Sequence, residues 1–332
     1  MNQRANAEPV RLGKSGPEVF PIALGCMGMS GMYGATDDNE SIATIQAAIA
    51  AGVTLIDTGD FYGMGHNELL VGRAVAGRRD RVQISVKFGA LRGPDNSWGG
   101  VDARPVAVKN FVAYSLKRLG VDVIDIYRPA RLDPAVPIED TIGAIAELVE
   151  AGYVRHIGLS EVGVQTIERA QKVHAISDLQ IEYSLASRGP EAEIFPTLRK
   201  LGISATLYGV LSRGLLGGSK PKGVGDFRAY LPRFSGENRA KNEQLVADLA
   251  TFAKARDMSV GQLAIAWVLA RAPGFVPVIG AKTRAQLGDA LGALALPLSS
   301  EDVTALEKLA PATAFAGQRY DPRQMAHLDS ER

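Results

Sequence analysis

The chain has 332 residues, 46% of them hydrophobic and 22% charged, with 37 Lys and Arg set against 36 Asp and Glu. That length suffices for one large barrel or two ordinary domains, and the composition reads as a soluble globular protein. The balanced charge leaves no global positive field for nucleic acid or an anionic membrane, and the single Cys26 excludes an intrachain disulfide and any Cys-rich metal site.

The opening residues 1–9 lack the apolar core of a signal peptide, and no run of about 18 apolar residues offers a membrane span, so a cytoplasmic protein is expected. Residues 8–20, with Gly13, Gly16 and Pro17, predict a hairpin plugging the bottom of a barrel. Short apolar runs then predict strands over Ile22–Leu24, Thr54–Asp57, Val82–Val86, Val123–Tyr127, Val154–Leu159, Leu179–Ile181, Ser204–Leu207 and Phe275–Ile279. Helical spacing lies between them. Ile42, Ile45 and Ile49 follow an acidic first turn of Asp37, Asp38 and Glu40; Val108, Phe111, Val112, Ser115, Leu116 and Leu119 repeat the spacing, as do Ile142, Ile145, Leu148 and Val149. Gly52, Gly120 and Gly152 stand just past helix ends. Eight strands alternating with helices point to a closed (β/α)8 TIM barrel rather than an open sheet, and to one domain over residues 1–332. Two stretches break the alternation. Residues 217–236 read as a lid, and the tail after Pro311, with Phe315 and Tyr320, reads as a cover folded over the barrel mouth.

Several motifs dissolve on inspection. Gly13-Lys14-Ser15 ends like a phosphate-binding loop, but Glu8 stands where the first glycine is required and no helix follows. Gly63 to Glu68 follows Tyr62 rather than a first strand and reads as a loop entering a helix. His66, His156, His174 and His327 show no metal-like spacing, so no metal is expected.

The residues that carry chemistry sit at strand ends. An apolar strand ends in Asp57, Tyr62 follows five residues later, and the next strand ends in Lys87. α/β barrels keep their chemistry just past the C-terminal ends of their strands. A lysine held by a carboxylate can stabilise a phenolate, which makes a tyrosine an acid able to protonate a carbonyl oxygen while hydride arrives from a nicotinamide. Read alone, Asp57 and Lys87 could equally be a buried ion pair.

With these residues placed, the chain resembles the aldo-keto reductase superfamily over roughly residues 9–310. The matching stretches run in order: Leu24-Gly-Cys-Met-Gly-Met, Ile56-Asp-Thr-Gly-Asp-Phe-Tyr-Gly, Asn67-Glu-Leu-Leu-Val-Gly, Val86-Lys-Phe-Gly, Val136-Pro-Ile-Glu-Asp-Thr, Gly152-Tyr-Val-Arg-His-Ile-Gly-Leu-Ser, Gln180-Ile-Glu-Tyr-Ser and Leu211-Ser-Arg-Gly-Leu-Leu. The resemblance implies a barrel that binds NADP(H) at its C-terminal face and reduces an aldehyde or ketone. Tyr62 would be the acid, Lys87 would lower its pKa, and Asp57 would orient Lys87. It further implies that Ser160 and Gln180 hold the nicotinamide carboxamide and that Tyr208 stacks on its ring. Gly209, Leu211 and Arg213 would carry the pyrophosphate. Gly280, Lys282, Arg284, Gln286 and Asp289 would surround the adenosine phosphate, with Lys220 or Lys222 of the lid closing above.

One position departs. Where the family places a histidine, this chain has Ala130, in Asp125-Ile-Tyr-Arg-Pro-Ala-Arg-Leu-Asp133. Water or the substrate's own polar groups could fill the gap, Arg128 could point inward by period-two logic and supply charge, or the site could have lost its activity. The alternative to an enzyme is therefore an NADPH-binding regulatory subunit; a Schiff-base enzyme on Lys87 is the third reading. Met29, Met32, Tyr33, Phe88, Trp98 and Tyr127 suggest an apolar, aromatic-lined mouth suited to aromatic or aliphatic carbonyls.

Overall fold

The computed structural model describes residues 8–219, 221 and 226–332; the lid lysines Lys220 and Lys222 lie outside them. Among the described residues twelve strands occur in chain order: β1 (Val10–Arg11), β2 (Glu18–Val19), β3 (Ala23–Gly25), β4 (Leu55–Gly59), β5 (Gln83–Phe88), β6 (Ala90–Arg92), β7 (Trp98–Val101), β8 (Ile124–Pro129), β9 (Val154–Ser160), β10 (Ile176–Glu182), β11 (Ser204–Tyr208) and β12 (Val276–Gly280). Strands β3, β4, β5, β8, β9, β10, β11 and β12 close in that order into a parallel barrel. All eight strands expected from the apolar runs are present, with ends shifted by up to three residues.

These strands are buried on both faces, which is why they read as nearly continuous apolar runs. Helices such as Asp38–Ala50, Pro105–Leu119 and Ile138–Glu150 pack outside. Asp37 caps the first of them by accepting the Glu40 N–H. Gly120 ends the second with φ 65°, a left-handed turn that glycine adopts without steric cost.

The floor of the barrel is closed by the β1–β2 hairpin. Leu12 and Val19 pack onto Ala23, Leu55, Ile126, Val276 and Val278 in a core cluster of their own. Lys14 N–H donates to the Gly202 carbonyl at 2.9 Å, and a Cβ on Gly13 would meet the Ser177 carbonyl at 2.6 Å. The Gly13-Lys14-Ser15 turn is thus a structural plug at the end of the barrel remote from Lys87.

Two features surround the opposite end. β6 and β7 form a second hairpin, which the apolar runs do not predict because Trp98-Gly-Gly-Val101 has no alternation of apolar and polar side chains. The tail does fold over the mouth: Arg319 and Tyr320 meet Glu161, Tyr208 and Arg213 there.

Candidate active site

Parallel register sets the layers of the barrel interior. Asp57 pairs with Ser85 and Gly59 with Lys87 across β4–β5; Lys87 pairs with Arg128 across β5–β8; Gln180 pairs with Thr206 across β10–β11. Side chains alternate along each strand, so Asp57, Ser85, Lys87, Arg128, Asp178, Gln180 and Thr206 all project inward.

They form a closed ring. The Ser85 hydroxyl donates to Asp57 Oδ2 at 3.0 Å, and Arg128 Nη2 donates to the Ser85 oxygen at 3.1 Å. Arg128 grips Asp178 with both terminal nitrogens, at 2.8 and 3.2 Å. The Thr206 hydroxyl donates to Asp178 at 2.6 Å, and Gln180 Nε2 lies 3.5 Å from Thr206 Oγ1 and donates to Asp57 Oδ2 at 2.8 Å. Gly158 makes room for this: a Cβ there would lie 3.0 Å from the Arg128 guanidinium carbon and 3.0 Å from Asp178.

The Asp57–Lys87 ion pair sits on top of the ring, with both side chains 5% exposed. Tyr62, in the short turn Tyr62–Gly65 after β4, lies beside it, and the Lys87 ammonium is 5.2 Å from its ring centre. Burial, reinforced by the Asp57 charge, holds the Tyr62 phenol well above its usual range. The direction is opposite to the lowering expected from Lys87. Burial also pulls Lys87 down, while Asp57 holds it up.

The residues implied for the cofactor fall into two groups. Near the triad, the Ser160 hydroxyl at the end of β9 is 1% exposed and has no hydrogen-bond partner among the described residues. Gln180 is bound to Asp57, as above, and Tyr208 ends β11 with its hydroxyl 3.5 Å from that of Tyr320. The chain then turns through Gly209 to Gly214. Ser212, Arg213 and Gly214 have φ of 45°, 55° and 91°. Non-glycine residues held in that region mark strain, which clusters at ligand clamps. Leu211 lies within this turn, and Arg213 is held by Glu182 at 2.9 Å and by the Arg319 carbonyl at 3.1 Å. Farther out, Gly280 ends β12 beside Gly25. The Lys282 ammonium donates to the Tyr33 carbonyl at 3.1 Å, Arg284 pairs with Glu40 at 2.9 Å, Gln286 accepts the Lys282 N–H at 2.8 Å, and Asp289 accepts from Ser259 at 3.0 Å. Thr283 caps the helix Arg284–Gly292 that carries the last three.

A nicotinamide dinucleotide suits this donor set. The Ser160 hydroxyl and the Gln180 amide match a carboxamide, and the Arg213, Lys282 and Arg284 cations around the turn and the helix start suit phosphates. No group of His, Cys, Asp and Glu among the described residues could hold a metal ion, and no helix among them is long and apolar enough to cross a membrane.

Two expectations are corrected by strand parity. Phe88 and Tyr127 do not line the mouth. They alternate with Lys87 and Arg128, so they face outward, where their rings stack at 4.3 Å and Phe88 meets Phe111. Arg128 does point inward, but Asp178 consumes its charge below the mouth. Ser85, Asp178, Thr206, Glu161, Glu182 and Arg319 were missed, while Tyr320 lies over the mouth as expected of the tail. The first three were findable as polar residues at alternate positions of apolar strands; Arg319 reaches Glu161 and Glu182 only through the tail.

Comparison with known proteins accords with this geometry. Residues 21–311 match the model of the Aldo/keto reductase family. A Glycine max protein named probable aldo-keto reductase 1 is 40% identical over 328 residues, covering 96% of this chain and 93% of the relative. The solved structure of a glycerol dehydrogenase from Gluconobacter oxydans superposes with TM-score 0.82 at 26% identity, covering 98% and 97% of the two chains. An aldo/keto reductase from Klebsiella pneumoniae, solved with NADP and acetate, superposes with TM-score 0.74 at 27% identity, covering 94% and 98%.

Proposed function

The chain belongs to the aldo/keto reductase family, and from that premise we propose that it is an NADPH-dependent carbonyl reductase, turning an aldehyde or ketone into an alcohol with Tyr62 as proton donor. The observation that carries the reading is the Asp57–Lys87 pair lodged against the Tyr62 ring at the C-terminal rim of the barrel.

A reduced nicotinamide, when bound, supplies the hydride. Tyr62 holds the proton for the carbonyl oxygen, because burial keeps the phenol protonated. Lys87 stabilises the phenolate left behind, and Asp57 keeps Lys87 charged against the burial that would discharge it. In the reverse direction the same phenolate is the base. Gln180 locks Asp57 from the opposite wall, so the carboxylate cannot swing away from Lys87.

Ser160, Gln180 and Tyr208 would hold the nicotinamide end, and Gly209, Leu211 and Arg213 the pyrophosphate. Gly280, Lys282, Arg284, Gln286 and Asp289 would hold the adenosine end. Arg213 and Arg284 are paired with Glu182 and Glu40, so phosphate binding at either exchanges one anionic partner for another. The Klebsiella relative's NADP supports the choice of cofactor. We read residues 1–332 as one unit acting on a small molecule in the cytoplasm.

The test is steady-state NADPH consumption against a chemically diverse carbonyl set, with NADH as control. Tyr62→Phe should lower kcat about 10²–10⁴-fold with NADPH affinity nearly intact. Tight NADPH binding without turnover of any carbonyl would replace this reading with that of a regulatory subunit, for which Ala130 is the support.

A further inference from the structure

Ala130 follows β8 directly, its N–H bonded to the Phe88 carbonyl at 2.8 Å, and is 1% exposed. The side chain that reaches the mouth from this position is the next one, Arg131. It is half-buried, and its Nη1 donates back to the Ala130 carbonyl at 2.6 Å. Its Nη2 lies 3.5 Å from the Tyr320 hydroxyl.

Four other cations around the mouth each have a carboxylate. Lys87 has Asp57, Arg213 has Glu182, Arg233 has Glu182 at 3.5 Å, and Arg319 has Glu161 at 2.7 Å. Arg131 has no carboxylate within ion-pair distance among the described residues. The nearest acid in sequence, Asp133, is turned away to accept the Ala103 and Ala135 N–H groups at 3.1 and 2.9 Å. A guanidinium has five N–H donors in a rigid fork, and those of Arg131 that reach neither the Ala130 carbonyl nor Tyr320 have no partner among the described residues. Tyr208, Tyr320 and Glu161 hold the Arg131 charge at longer range, and an anion bonded directly to the open donors would add to that.

The charge is also well placed. Arg131 is near enough to act on both the Tyr62 phenol and the Lys87 amine, pulling each down against its other neighbours. It comes three positions after Arg128, which pairs with Lys87 across β5–β8, and the Tyr320 hydroxyl that its Nη2 reaches at 3.5 Å is itself 3.5 Å from that of Tyr208. With Phe88 and Tyr127 removed from the mouth by strand parity, what lines it is less apolar and more cationic than the sequence suggested.

We propose that Arg131 is the substrate-orienting cation of this site, taking over the orienting role at the histidine-less position, and that the carbonyl substrate carries a carboxylate which the Arg131 fork binds. A carboxylate matches the fork's planar, two-pronged geometry. The inference rests on the carbonyl-reductase reading above and names its substrate class: an aldehyde or ketone with an acid group a few bonds from the reacting carbon.

The test compares 4-carboxybenzaldehyde with the neutral, similarly sized 4-formylbenzamide. The protein should favour the acid at least about tenfold in kcat/KM, chiefly through KM. Arg131→Met should abolish that ratio, and Arg131→Lys, which keeps the charge but not the fork, should keep part of it. Calorimetric titration of the NADP⁺-loaded protein should show benzoate binding more tightly than benzamide, with the difference lost in Arg131→Met. Equal use of both aldehydes, or a preference that survives Arg131→Met, overturns the assignment and leaves carbonyl reduction standing. If neither aldehyde is reduced, carbonyl reduction itself is in doubt, and the benzoate–benzamide difference alone decides for or against Arg131.

Discussion

Inside the barrel, Arg128 touches Asp178, Ser85, Thr206 and the Leu159 carbonyl, and nothing of it reaches solvent. At the mouth, Arg131 touches one carbonyl and the edge of one phenol. Only Pro129 and Ala130 separate them. The interior ring closes on itself and fixes Asp57; the mouth is assembled from loops and a tail and leaves a charge over. The same residue type serves as scaffold where a carboxylate grips its terminal nitrogens and as a recognition group where none does.

Breaking the scaffold should cost most. Arg128→Met strands Asp178 without its cation, at a loss of about 3–5 kcal/mol, read from urea denaturation. A loss below about 1 kcal/mol would mean the ring contributes little and that Asp57 is held by Lys87 alone.

The tail gives a smaller effect with a pH signature. Arg319 joins Glu161 and Glu331 at 2.7 Å each. Burial alone would raise Glu161, yet Arg319 overrides it and brings the carboxyl down to about 2. A folded pKa below the unfolded value adds stability that is present above the ordinary carboxylate range and lost as pH falls through the folded pKa. Arg319→Met should therefore cost about 3 kcal/mol near neutral pH and much less near pH 2, so that its acid limb is flatter than that of the parent protein. An equal loss at both pH values would count against the ion pair.

Asp60 sharpens the contrast from the opposite side. It follows β4, with Oδ2 accepting from Gly89 at 3.3 Å and Oδ1 unpartnered, and burial plus the Glu68 charge pushes it up to about 7. Its folded pKa lies above the unfolded one, so its protonated form stabilises the fold at low pH. That contribution fades as pH rises from about 4 to about 7. Asp60→Asn should flatten the decline and raise stability at pH 8, by about 2 kcal/mol. An unchanged stability–pH curve would show that Asp60 is solvated in solution.

How much of this was legible in sequence differs by layer. The eight barrel strands were, because each is an apolar run bounded by turns and helices. Asp57, Tyr62 and Lys87 were, because they end successive strands. The ring of Ser85, Asp178 and Thr206 was half-legible: its parity is written in the strands, but which polar residue meets which depends on register between strands distant in sequence. The β6–β7 hairpin was missed because Gly99 and Gly100 carry no side-chain pattern.

By itself the sequence determined the barrel, through local periodicity, and the family, through the resemblance of its motifs, and it placed Asp57, Tyr62 and Lys87 at or just past strand ends. Tertiary structure decided which charges remain available. Glu161 and Arg319, 158 residues apart, neutralise each other only because the tail crosses the mouth. Arg128 is spent because β10 brings Asp178 beneath it, and Arg131 is left over because no carboxylate among the described residues comes within ion-pair distance of it. Charge pairing across a closed barrel is a matter of distance in space, and composition and spacing along the chain do not encode it.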